Sequence, residues 1–201
     1  MTVPRHILAE KRDDYIKRFR SSARKEKRFY ASLPLADRVR KAALGDTASG
    51  GRHRHQWHMK LVLLKRFASK LALRRRQIAG VRSFSELLEI VGSSRLKGVG
   101  ELTVYDTAVR IGAGLGIEPT EVYLHAGTRI GARSLGWKVN RASIPRTEIP
   151  PELGSLSASE IEDLLCIYAA DFQVGASKTR AKVCRERSHG CHIKRAGQRG
   201  C

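Results

Sequence analysis

Apolar residues recur three and four apart along most of this chain, whereas period-two alternation of β-branched residues is scarce. Leu61, Leu64, Ala68 and Leu71 trace one helical face. So do Val104, Ala108, Ile111 and Leu115, and later Ile161, Leu164, Leu165 and Tyr168. The pattern predicts an all-α, bundle-like domain of about four to six helices.

Punctuation sets the expected boundaries. Ser83 to Glu86 has capping-box form, so a helix starts near Phe84, buries Phe84, Leu87, Leu88 and Val91, and stops at Gly92. A long helix is predicted from His58 to about Arg76, with Val62, Leu63 and Phe67 widening its apolar stripe. Glu118-Pro119-Thr120 opens another, expected to run to about Leu135, in which Gly127 and Gly131 let a second helix approach closely. Ser157 to Glu160 repeats the capping box and starts a last helix, which reads as core closure ending at Phe172. Its acidic start, Glu160, Glu162 and Asp163, suits the positive end of a helix dipole. Residues 32–172 are thus the expected helical domain, flanked by a basic arm at 1–31 and a basic, cysteine-containing tail at 173–201. The arm reads either as a helix with a thin seam of Ile7, Lys11, Tyr15 and Phe19 or as a solvated charged segment.

Charge narrows the partner. The 39 Lys and Arg against 19 Asp and Glu give a net +20, a field of one sign that opposes folding and favours a polyanion. Nucleic acid is the expected partner, DNA favoured over RNA, since phosphate neutralisation supplies most of the affinity in such systems. Arg66 and Lys70, four apart, and Arg129 and Arg133, also four apart, are the expected phosphate contacts outside the central motif. No long apolar run or signal-peptide core is present, so a cytoplasmic protein without a membrane partner is expected. Four cysteines, three of them beyond residue 180, do not suggest a disulfide scaffold.

The central motif is Arg95 to Thr103, where one helix stops, turns through Gly98, Val99 and Gly100, and restarts. The glycines permit positive φ and close backbone approach, and the amides opening the next helix can hold a phosphate oxygen. Arg95 and Lys97 add charge, and Thr103 and Arg110 are expected to flank the bound backbone. The sequence Leu96-Lys97-Gly98-Val99-Gly100 within a 84–115 helix pair resembles the helix-hairpin-helix DNA-binding motif. Over Leu87 to Gly136 the chain resembles the endonuclease III-like DNA glycosylase superfamily. That resemblance implies sequence-non-specific duplex DNA binding.

It does not carry over the family's chemistry. Val122-Tyr123-Leu124-His125 falls where such enzymes carry a Val-Asp-x-His segment with a catalytic Asp, and neither Tyr123 nor Thr120 is a carboxylate. Leu102 stands where lyase members have the Schiff-base lysine. No catalytic residue is therefore assigned, and binding without catalysis is the leading expectation. The alternative is a divergent base-excision repair enzyme with a relocated acid, for which Glu118 and Glu121 are the nearest candidates; Asp106 reads as a surface or capping residue.

Two clusters raise the question of metal. His53, His55 and His58 lie among Arg52, Arg54 and Trp57 with no nearby carboxylate or cysteine, so a basic loop is expected, with Trp57 either packed on the core or free to stack on a base. Cys184 and Cys191 match the first spacing of the resembled family's iron-sulfur loop, but Lys194 and Gly200 occupy its later positions. Cys184, Cys191, His192 and Cys201 could form a zinc site only with unusual spacing, and no cofactor is expected.

Overall fold

The computed structural model describes residues 4–173, and the cysteine-bearing tail lies outside the described residues. Ten α-helices carry this part: α1 (Arg5–Arg18), α2 (Arg20–Ser32), α3 (Leu35–Leu44), α4 (Arg54–Trp57), α5 (Leu61–Leu73), α6 (Arg75–Gly80), α7 (Phe84–Ser93), α8 (Glu101–Ala113), α9 (Ala126–Ser134) and α10 (Ala158–Ile167). A two-stranded antiparallel ladder, β1 (Val122–Tyr123) with β2 (Ser143–Ile144), and two short 3-10 turns complete it. No helix among the described residues is long and apolar enough to cross a membrane.

Two hydrophobic cores result. The first surrounds α8, whose Val104, Tyr105, Ala108 and Ile111 meet Phe67 and Leu71 of α5 and Leu87 and Val91 of α7. The second gathers Leu124, Leu153, Leu156, Ile161, Leu164 and Phe172. Residues 5–32 are not a separate arm. Tyr15 of α1 is buried in the second core and Tyr30 of α2 in the first, so this segment spans both. Polar bonds fix it: Tyr15 Oη donates to Asp163 Oδ2 at 3.0 Å, Tyr168 Oη to Asp14 Oδ2 at 2.6 Å, and the Arg20 guanidinium forks onto Glu160 at 2.7 and 3.0 Å. Of the seam read from the sequence, Tyr15 is buried, Ile7 and Phe19 pack partly, and Lys11 pairs with Asp171 at 3.1 Å.

Three expected boundaries shift. The helix predicted from His58 to Arg76 runs only from Leu61 to Leu73, and Arg74 leaves helical geometry to donate to the Ile90 carbonyl at 3.4 Å and to the Ser93 hydroxyl. Its apolar stripe is wider than the face α3 covers, and Leu61 and Val62 are 43% and 62% exposed. The helix predicted from Pro119 begins only at Ala126. The β-branched Val122 and aromatic Tyr123 instead take the extended ladder opposite Ile144 and Ser143, as such side chains favour. His125 ends that strand and caps α9, its N–H donating to Thr128 Oγ1 at 2.8 Å.

Two expectations hold closely. The Ser157 capping box has both reciprocal bonds, Glu160 N–H to Ser157 Oγ and Ser157 N–H to Glu160. The glycine pair of α9 meets α10 at backbone distance: a Cβ on Gly131 would lie 2.1 Å from the Leu165 carbonyl oxygen, and one on Gly127 2.8 Å from Cys166 Sγ.

Candidate nucleic-acid interface and junction cavity

The hairpin joins α7 to α8 through a turn that requires glycine at one position. Gly98 has φ +97°, and a Cβ there would also stand 3.0 Å from Leu63 Cδ2, so the start of α5 backs the turn. Val99 points into the core, and its N–H is spent on the Leu96 carbonyl at 2.9 Å. Gly100 then serves as N-cap of α8 without a side-chain cap. The first-turn amides of Glu101, Leu102 and Thr103 therefore have no carbonyl within the helix. Arg95, Lys97, Gly98 and Gly100 are exposed here, as are Arg66 and Lys70 on α5 and Arg133 on α9.

Three residues expected at this surface are elsewhere. The Thr103 side chain is buried and its Oγ1 donates to Met59 Sδ at 3.6 Å. Arg129 is half-buried and donates to the carbonyls of Val139 at 2.6 Å and Arg141 at 2.8 Å, tying α9 to the chain before β2. Arg110 is buried, bonded to Gln56 Oε1 at 2.9 Å, the Ala42 carbonyl at 3.3 Å and Asp106 Oδ2 at 3.1 Å.

Behind the hairpin the two cores leave a cavity of about 850 Å³, which reaches Gly100 and Leu102 at one end and α10 at the other. Its chemistry comes from segments far apart in the chain. Asp106 of α8 lies 3.0 Å from His55 Nε2, and Glu26 of α2 lies 3.7 Å from His53 Nε2. On the other side the buried His125 Nε2 and Glu162 Oε1 are paired, and Asp163 accepts from Tyr15. Asp106 thus has a role that its position on a helix surface did not suggest, and α10 supplies polar groups as well as core. The histidines do have carboxylate neighbours, contributed by α2 and α8, while His58 is exposed. Among the described residues no group of three or more His, Cys, Asp or Glu is arranged to hold a metal ion.

The electrostatics divide the cavity. Burial opposes the Asp106 charge, but Arg110 and then His55 outweigh it and hold the carboxyl well below the usual carboxylate range. Burial pushes Glu162 upward against the pull of His125, and pushes Asp163 well upward with the help of the Glu162 charge. Burial also raises Glu26, and it drives His53 down to about 3 with Arg110 beside it. His125 is raised, since its bond and charge interaction with Glu162 exceed the cost of burial. One side therefore has a fixed carboxylate 3.0 Å from His55 Nε2, and the other has carboxyls whose charge burial opposes.

No family model, curated protein or solved structure matches this chain.

Glu118 and Glu121, the acids nearest the motif in sequence, are committed elsewhere: Glu118 pairs with Lys27 and Glu121 accepts from Ser143 Oγ at 2.5 Å. A signal for the true cavity acids was present in α10, where Glu162 and Asp163 adjoin the apolar positions Ile161 and Leu164 and one of them must point inward. Trp57 does not pack on the core: it is 61% exposed, and its Nε1 donates to the Arg52 carbonyl.

Proposed function

We propose that the protein binds duplex DNA without reading its sequence, through the hairpin from Arg95 to Gly100 and the basic face of α5. The observation that carries this is the hairpin itself: a positive-φ Gly98, an uncapped start of α8 after Gly100, and exposed Arg95 and Lys97 on the same turn. Uncapped amides and flanking cations suit a phosphate group and carry no base information. Arg66, Lys70 and Arg133 extend the contact, and the net charge of +20 supports a polyanionic partner. The test is binding of labelled duplex DNA, single-stranded DNA and duplex RNA across a salt series. Replacing Arg95 and Lys97 together by Ala should lower duplex affinity and reduce the salt slope by about 0.9 per lost phosphate contact. Gly100→Ala is the companion variant, because a Cβ at Gly100 meets nothing within 4 Å and its φ is ordinary, so the fold tolerates it. Unchanged affinity in both variants would remove the hairpin from the interface.

A second reading, base excision, is favoured by one observation: carboxyls with raised pKa open on a cavity that reaches the hairpin. In it Asp163 gives its proton to the departing base while His55, held by Asp106, takes one from the attacking water. A strand displaced into the cavity would need one nucleotide turned out of the stack. Base release from duplexes carrying single modified bases, compared between wild type and Asp163→Asn, tests it.

A further inference from the structure

In a protein of net charge +20, seven of the 19 carboxylate side chains line this one cavity. Glu26, Asp106, Glu162 and Asp163 are the interior ones; Glu101 and Glu118 stand exposed at the opening, and Glu160 is locked to Arg20. Against them the interior has one buried arginine, Arg110, already committed to Asp106, Gln56 and the Ala42 carbonyl. The other basic residues of the lining are Arg54, half-buried on α4, and Arg24 and Lys27 on exposed positions of α2. Four carboxyl groups thus converge on the interior of one cavity in a positive protein, and their oxygens suit a hydrogen-bond donor such as an amino group.

Two buried atoms point to an occupant. Tyr105 and His125 line the cavity, and Tyr105 Oη and His125 Nδ1 have no hydrogen-bond partner among the described residues. Their residues are 5% and 4% exposed. Such an orphaned group costs about 1–3 kcal/mol until a ligand or water satisfies it. Tyr30 and Tyr105 provide aromatic surface, and a volume of about 850 Å³ suits a small-molecule site.

We infer that the cavity binds a planar nitrogen heterocycle bearing an amino group or a positive charge, an aminopurine or aminopyrimidine ring, against Asp163, Glu162 and Tyr105. A protonated carboxyl presents one donor and one acceptor, which match the ring nitrogen and exocyclic amine of such a ring. An ionised carboxylate presents two acceptors, which match the protonated or alkylated form. A ring with carbonyls in both positions meets carboxylate oxygens with oxygens. The ring can arrive as a free nucleoside or as a base displaced from a strand. Only the second source rests on the DNA-binding reading.

The experiment is calorimetric titration of the full chain with adenosine, cytidine and 7-methylguanosine, against uridine and thymidine. The first three should bind at least tenfold more tightly. The Glu162→Gln, Asp163→Asn double variant should abolish that preference. Tyr105→Phe, which removes only an unpartnered hydroxyl and keeps the ring, should weaken adenosine several-fold without lowering the urea midpoint. Equal affinity for both classes, no nucleoside binding together with no base preference in strands, or a preference untouched in Tyr105→Phe and the double variant each overturns the inference. Single strands of deoxyadenosine and of thymidine distinguish the sources: tighter binding to the first at matched salt assigns the ring to nucleic acid, and a preference confined to nucleosides assigns it to a free ligand. Failure of the hairpin reading shows separately, as duplex affinity unmoved by Arg95→Ala with Lys97→Ala.

Discussion

Arg110 Nη2 donates to Asp106 Oδ2 at 3.1 Å across one turn of α8, and the same carboxylate sits 3.0 Å from His55. One buried anion thus holds a cation from its own helix and a ring from α4. Asp106→Asn should cost about 3–5 kcal/mol, because it leaves the Arg110 charge buried without its counterion. A double replacement, Asp106→Asn with Arg110→Met, should recover part of that loss. Urea denaturation of the three variants measures both effects.

Glu162, Asp163 and His125 should make stability fall as pH rises through the carboxylate range and beyond, against His53, which is held down to about 3 and adds stability up to about pH 6.5. Glu162, Asp163 and His125 all have folded pKa values raised above their unfolded values of 4.5, 3.8 and 6.5, so the folded chain binds more protons than the unfolded one. Their contribution is present below those unfolded values and is lost as pH climbs through the raised ones. Asp106 acts oppositely: its lowered pKa gives stability above 3.8 that disappears only in strong acid. Urea midpoints from pH 4 to 9 should decline on the alkaline side, and the Glu162→Gln, Asp163→Asn variant should flatten the decline. A midpoint that rises across that span contradicts the assignment.

Arg129 and Arg133, four apart on α9, should separate cleanly. Arg129→Ala removes hydrogen bonds to two backbone carbonyls and should cost about 1–3 kcal/mol of stability with little change in the salt slope of DNA binding. Arg133→Ala removes an exposed charge, so stability should stay within about 0.5 kcal/mol while the slope falls.

Trp57 offers a stacking face beside the basic surface. Trp57→Ala should leave stability nearly unchanged, since the ring is 61% exposed, and should weaken single-stranded DNA by about 1–3 kcal/mol if one base stacks on it. Fluorescence quenching on binding gives a second readout.

The helices were legible where local chemistry decides them. Ser83 and Ser157 start α7 and α10 as their capping patterns require, and Gly127 with Gly131 foretold the close meeting of α9 and α10. Pro119 misled, because a proline suited to a helix start precedes Val122 and Tyr123, whose pairing with Ile144 and Ser143 lies some twenty residues ahead and has no local mark. The glycine turn between α7 and α8 could be read from five residues. The cavity could not, since Glu26, His55, Asp106, His125 and Glu162 converge only through tertiary packing. The buried bonds of Thr103 and Arg129 were hidden for the same reason: helical spacing says which residues share a face, but not what covers it.

Tyr15 finds Asp163 148 positions later, and Arg20 finds Glu160 140 positions later. Helix α1 therefore waits for α10, made more than a hundred residues later, before it has a place to dock. The core around α8 draws on residues 30 to 111 and can assemble while α10 is still unmade. Long-range closure of this kind is slow relative to local helix formation. The junction cavity consequently forms only after α10 is made, and a chain that lacks α1 or α10 carries the α7–α8 turn without the chamber behind it.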